Sequence, residues 1–194
     1  MSTYETDSVL SLFNQSHDIG WHVTSPELAS LVSRSLEIYR ITNGAFDVSV
    51  GPLVNLWGFG PSPSNQKIPD RQSVQSAKNS VGSEFIKVDL QKNAIWKAFS
   101  DMYVDLSAIA KGYAVDEIAK LLESSAIKDF MVEIGGEVRA QGDSPHKGPW
   151  RIGIETPEIK RGDVELIIQL QNMSIATSGD YRNFFEYNGK RYSH

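Results

Sequence analysis

The sequence predicts an α+β protein with mainly antiparallel sheets flanked by helices. Three observations lead there. Strand-like runs are joined by hairpin turns, at Gln91-Lys92-Asn93 and at the strong two-residue signal Asn188-Gly189. Two long stretches, residues 25–42 and 107–122, carry apolar positions at helical spacing. The count is about eight strands and four helices, and most strands connect to another strand rather than to a helix, which separates this pattern from an alternating parallel sheet. At 194 residues, with 40% hydrophobic and 22% charged residues, the chain can bury a real core as one domain, 1–194.

The elements follow in order. Residues 7–13 read as a short helix through Val9, Leu10, Leu12 and Phe13, and Trp21-His22-Val23 as a brief strand. Ser25-Pro26-Glu27 is a helix start: a capping hydroxyl, a proline in the first turn, then an acid. Leu28, Leu31, Val32, Ser35, Leu36 and Tyr39 mark one face of a helix running to about Thr42, and Asn43-Gly44 stops it. Residues 44–52 read as a short strand or extended turn, and 53–60 as an apolar, aromatic segment with room for one helical turn. Trp57 and Phe59 there are either a wall for a flat ligand or packed core. Residues 62–67 read as an exposed loop and 70–79 as a surface helix. Residues 85–90 and 94–97 form a hairpin.

The stretch 102–122, MYVDLSAIAKGYAVDEIAKLL, organises the rest. Tyr103-Val104-Asp105-Leu106 has the character of a strand end, and Val115, Ile118, Ala119 and Leu122 define the buried face of a helix. Ser107 stands where an N-cap belongs. Free N–H groups and the positive end of the helix dipole suit a phosphate there, Lys111 adds a charge, and Asp105 offers an oxygen to a metal or a ligand N–H. A capped helix with a solvated lysine is the plainer reading of the same residues. Beyond it, strands are expected at 129–134, 137–142, 150–155, 165–170 and from 174 into a hydroxyl-rich turn, then the hairpin of 184–187 and 190–194. Gly135-Gly136 is either a bulge or a place where a ligand meets bare backbone; it lacks the third glycine and helix of a dinucleotide fingerprint.

Composition excludes several classes. The net charge of −5, with no basic run, argues against a nucleic-acid partner. There is no cysteine, hence no disulfide or thiolate chemistry. No run reaches membrane-spanning length, and the start lacks the basic and apolar regions of a signal peptide. The chain is expected to be cut at both ends.

Several blocks, in order, carry a resemblance. They are Ser2-Thr3-Tyr4 with Asp7-Ser8 and Phe13-Asn14; Gly44-Ala45-Phe46-Asp47-Val48-Ser49-Val50-Gly51-Pro52-Leu53-Val54; and Leu56-Trp57-Gly58-Phe59-Gly60. Val104-Asp105-Leu106-Ser107-Ala108-Ile109-Ala110-Lys111-Gly112-Tyr113-Ala114-Val115-Asp116, Ile134-Gly135-Gly136-Glu137, and Ile175-Ala176-Thr177-Ser178-Gly179-Asp180-Tyr181-Arg182-Asn183 with Tyr192-Ser193-His194 complete them. The chain resembles the ApbE family of FAD:protein FMN transferases, once called thiamine biosynthesis lipoproteins. The resemblance implies an ApbE-like fold and magnesium-dependent cleavage of FAD, with FMN joined to a threonine or serine of a target protein through a phosphoester and AMP released. It implies that Tyr4 stacks on the isoalloxazine, that Ala45, Phe46, Asp47, Asp105 and Lys111 contact FAD, and that Ala108 ligates Mg2+ through its carbonyl. His194 is implied at the catalytic centre. At the place of Lys111 the family carries lysine or glutamate. The family's first strand, with a methionine-glycine-threonine block, and its later segment, with further magnesium ligands, are not matched here. The resemblance further implies a target among redox-complex subunits and a lipid-anchored parent on the periplasmic side of the inner membrane. A magnesium-dependent FAD pyrophosphatase and a non-catalytic FAD-binding protein are the alternative readings.

Overall fold

Ser25 and Pro26 open the longest helix in the order that predicts it. In the computed structural model, which describes residues 1–61, 67–156, 164–179 and 183–193, α2 spans Pro26–Ile41. The Ser25 hydroxyl accepts a hydrogen bond from Leu28 N. Leu28, Leu31, Val32 and Leu36 are buried, each worth about 1.5–3 kcal/mol of transfer free energy. Asn43 and Gly44, both at positive φ, turn the chain out of α2. The shorter α1, Val9–Gln15, starts from Ser8, whose hydroxyl accepts from Ser11 N.

These helices belong to the first of two compact units, Met1–Ala108 with Phe185–Tyr192. Its sheet has the order β1-β3-β2, antiparallel throughout, from β1 (Gly20–Val23), β2 (Ile86–Asp89) and β3 (Ala94–Lys97). Period-two alternation sends Ile86, Ile95 and Lys97 inward, where α2 packs on β2. The other face carries Trp21 edge-on to Trp96, with the Lys87 ammonium 5.8 Å from the Trp96 ring. Helices α3 (Gly51–Leu56) and α4 (Arg71–Lys78) pack together, and α4 buries no residue, as a surface helix should. A hairpin, β9 (Phe184–Tyr187) and β10 (Lys190–Ser193), turns at Asn188 and Gly189, both at positive φ as a type I′ turn needs.

The second unit, Ile109–Phe184 with Ser193, contains α5 (Ala110–Ser124) packed on β4 (Phe130–Ile134) and β5 (Glu137–Gln141). The hairpin β4-β5 turns at Gly135 and Gly136, also both at positive φ, so the diglycine is a two-residue turn and not a bulge. Strand β8 (Met173–Ile175) completes the order β4-β5-β8. A second ribbon pairs β6 (Trp150–Glu155) with β7 (Val164–Leu170). The core is Val138, Ala140 and Leu170, with Trp150, Ile152, Ile168 and Ile175 packed against it.

Residues 44–50 are turns, the second of the two readings left open for them, and the helix that follows begins at Gly51. The structure corrects three expectations. Residues 103–106 form no strand and pair with none among the described residues, because a side chain satisfies Val104 instead. Ser107 is not an N-cap: α5 starts at Ala110, and the Ser107 hydroxyl donates to Asp105. Ile118 is 43% exposed, so the buried face of α5 is narrower than its apolar spacing suggests, centred on Val115 and Ala119. The expected loop 62–66 and the turn residues Asp180, Tyr181 and Arg182 lie outside the described residues.

Candidate active site

In the first unit, two loops of the form Asp-X-Ser stand side by side. In Asp47-Val48-Ser49, Asp47 Oδ1 accepts from Ser49 N at 2.8 Å and Ser49 Oγ at 2.6 Å. In Asp105-Leu106-Ser107, Asp105 Oδ1 accepts from Ser107 N at 2.8 Å and Ser107 Oγ at 2.5 Å. Each is an Asx turn closed by the serine's backbone and hydroxyl. Asp105 N donates to Val48 O at 2.7 Å, which joins the two loops. A carboxylate has roughly four lone-pair sites, so fixing one oxygen in the loop leaves the other to accept from a ligand.

The approaches to these loops are also built from short hydrogen bonds. The Thr42 hydroxyl donates to Ile38 O at 2.8 Å and accepts from Phe46 N at 3.1 Å, which sets Ala45 and Phe46 at the mouth of the first loop. Ser83 Oγ donates to Asp47 Oδ1 at 2.6 Å, and Gly82 N donates to Ser49 Oγ at 2.6 Å. Gly51 is required: a Cβ there would lie 2.1 Å from Cδ1 of Tyr103. Burial pushes the Tyr103 phenol up, assisted by the Asp105 charge and opposed by side-chain hydrogen bonds with Asn55, Thr3 and Asn14.

Tyr4 is 69% exposed on an N-terminal segment held to α1, where the Ser8 and Ser11 hydroxyls both donate to Ser2 O. A flat ring so presented can stack on a planar ligand. Trp57 and Phe59 do not form such a wall. Trp57 stacks on Tyr192, Tyr192 on Phe185, and Phe185 on Phe59, at centroid distances of 5.8, 5.3 and 5.6 Å. The two aromatics are half-buried and packed against the hairpin rings rather than enclosed in the core, and their stack braces β10. His194 itself lies outside the described residues. His22 is structural: its Nε2 is 2.9 Å from Asp18 O, with its ring edge-on to Phe13.

In the second unit, Lys111 stands in the first turn of α5, whose N-terminus has no side-chain cap. Its ammonium lies 2.7 Å from Glu137 Oε2 and donates to Gly135 O at 2.9 Å. The first contact is an ion pair rather than a directed hydrogen bond, since Glu137 Oε2 is buried without a hydrogen-bond donor. Glu133 Oε1 accepts from Gly136 N at 2.8 Å, so two acids and the diglycine turn fix the surroundings of the lysine. Lys111, Glu133, Gly135 and Gly136 line a concave pocket of about 800 Å³ together with Thr177, Ser178 and Gly179.

Ala108 is exposed and offers one backbone carbonyl. Magnesium takes near-octahedral oxygen ligation, and among the described residues no three His, Cys, Asp or Glu side chains converge on a metal position. These donors alone do not complete a magnesium site. The structure thus brings Ala45, Phe46, Asp47 and Asp105 together in one unit that also carries Tyr4 and Ala108, and sets Lys111 in the other. Ser49, Asn14 and Glu137 stand within the blocks that carry the family resemblance but were given no role by sequence reasoning, which missed Ser83 altogether. The repeated Asp-X-Ser pattern was a legible signal for Ser49; Ser83 had none beyond its own type.

The α+β chain thus carries paired Asx loops and an exposed aromatic in one unit and a lysine-edged pocket in the other. The ApbE family model matches residues 1–194, and the chain belongs to the ApbE family. It is 44% identical over 194 residues to a Vibrio cholerae protein named FAD:protein FMN transferase, covering 100% of this chain and 58% of that protein. A Haemophilus influenzae protein of the same name is 44% identical over 198 residues, covering 100% and 57%. The solved structure of flavin transferase ApbE from Vibrio cholerae superposes with a TM-score of 0.85 at 40% identity, covering 97% of this chain and 61% of that one. The chain therefore spans less than two thirds of the relatives it matches, and the α+β fold is theirs.

Proposed function

We propose that the protein is an FAD:protein FMN transferase. What carries the reading is the likeness, over the whole of this chain, to relatives that bear that name. The acceptor is the hydroxyl of a threonine or serine on a protein. Its oxygen attacks the phosphorus on the FMN side of the diphosphate, the bond to the AMP oxygen breaks, AMP leaves, and the hydroxyl proton passes to a base. His194 is the proposed base, a role typically worth about 10²–10⁴-fold. Tyr4 holds the isoalloxazine, Ala45, Phe46, Asp47 and Asp105 receive FAD, and Lys111 sets its charge against the diphosphate. Magnesium, with Ala108 among its ligands, would neutralise the diphosphate; the described donors do not complete its site, and no step here depends on it. We further propose a redox-complex subunit as the target and a lipid-anchored parent on the periplasmic side of the inner membrane, both supported by the family resemblance alone.

The test is incubation with FAD, magnesium and a threonine peptide. A peptide mass gain of one FMN supports transfer. Free FMN and AMP indicate a pyrophosphatase, and FAD returned intact indicates a carrier. Tyr4→Ala should weaken FAD binding by roughly 1–3 kcal/mol, the scale of base–aromatic stacking, read by fluorescence titration. His194→Ala should keep FAD affinity and slow transfer by about 10²–10⁴-fold; full activity would remove it as the base.

A further inference from the structure

We propose that Asn14 is the positioning residue for Asp105, an inference that rests on reading Asp105 as an FAD contact. Asn14 stands near the end of α1 and reaches Val104, 90 residues away. Its Nδ2 donates to Val104 O at 2.9 Å, and its Oδ1 accepts from Val104 N at 2.8 Å. One side-chain amide thus gives Val104 both bonds that a neighbouring strand would give. Val104 is fully buried, so without Asn14 both of its backbone groups would be left unpaired away from water. The next residue is pinned on its other side, through Asp105 N to Val48 O. Between these anchors the segment cannot slide, and the Asp105 side chain leaves the backbone in one direction.

Asn14 is itself held in place. The ammonium of Lys97, a fully buried residue, donates to the carbonyls of Phe13, Asn14 and Ser16 at the end of α1. Few residue types can replace the amide. Aspartate keeps the acceptor but sets a carboxylate oxygen against the Val104 carbonyl. Alanine supplies neither group.

The test pairs amide hydrogen exchange with FAD titration in the full chain. Asn14→Ala should speed exchange at Val104 and Asp105 by about tenfold or more while β1, β2 and β3 keep their protection, and should weaken FAD by about tenfold. In an Asp105→Asn background the same substitution should cost no further FAD affinity, because Asn14 acts through Asp105. Asn14→Asp, which keeps the acceptor, covers the case in which the alanine variant fails to fold; it should retain protection at Val104 N–H yet weaken FAD. Unchanged exchange at Val104, or FAD losses that simply add, would overturn the proposal. Absence of FAD binding to the unsubstituted chain would strike the reading of Asp105 instead, and the exchange result would still decide whether Asn14 fixes the segment.

Discussion

Asp47 and Asp105 open loops of the same Asp-X-Ser pattern, closed by the same hydrogen bonds, but the two are supported differently. Around Asp47 the support is immediate and buried: Ser49 and Ser83 are almost fully enclosed, and Gly82 N and Ser83 Oγ add two bonds from one neighbouring segment. Around Asp105 the closing serine is exposed, and support comes from the backbone on either side, through Asn14 and Val48. A local motif therefore specifies the turn, while tertiary context decides whether the turn is part of the core or a mount for a side chain.

Substitution of the aspartates should give the largest contrast. Asp47→Ala strands the Ser49 N–H and two buried hydroxyls and should cost about 3 kcal/mol in urea unfolding, against about 1 kcal/mol for Asp105→Ala. Equal losses would erase the distinction. The serines should repeat it on a smaller scale, with Ser49→Ala costing about 2 kcal/mol and Ser107→Ala within about 0.5 kcal/mol.

Lys97 sharpens the comparison from behind the second loop. Burial pushes its ammonium below the usual 10.5, although Asp101 and Asp18 pull it back. The unfolded chain then binds this proton more tightly than the folded one. Stability relative to Lys97→Met should be flat at neutral pH and rise as pH climbs through the folded pKa toward 10.5, seen in paired denaturation series. The smallest effect concerns the segment behind the first loop, where the Tyr39 phenol donates to Glu84 Oε2 at 2.6 Å. That bond, burial and the charges of Glu84 and Asp47 push Tyr39 up to about 12 from 10.0. Its contribution is present below pH 10.0 and lost as pH rises through about 12; Glu84→Gln should return the ultraviolet titration of Tyr39 toward 10.0.

What the sequence made legible was local. The Ser25-Pro26 start, the stop of α2 at Asn43-Gly44 and the Asn188-Gly189 turn all act within a few residues, and each stands where its chemistry indicates. What stayed hidden depended on distant partners. Residues 103–106 have strand composition, but the pairing of Val104 is supplied by a side chain from α1, which no periodicity reveals. Ser107 has the right identity and position for a helix cap, yet Asp105 two residues earlier takes its hydroxyl. The aromatics Trp57 and Phe59 suited a ligand as well as a core until the hairpin rings stacked on them. For the site, Asp47 and Asp105 were singled out by type and motif, whereas the brace at Ser83 and the counter-charge at Glu137 came only with the fold.

The enclosed amine at Lys97 also has a practical use. A water-soluble acylating reagent meets it only in molecules whose first helix has lifted away, so a tag mapped to that position by mass spectrometry counts openings of this region. Read over time at low denaturant, the tag becomes a clock for the opening that would also release the second aspartate.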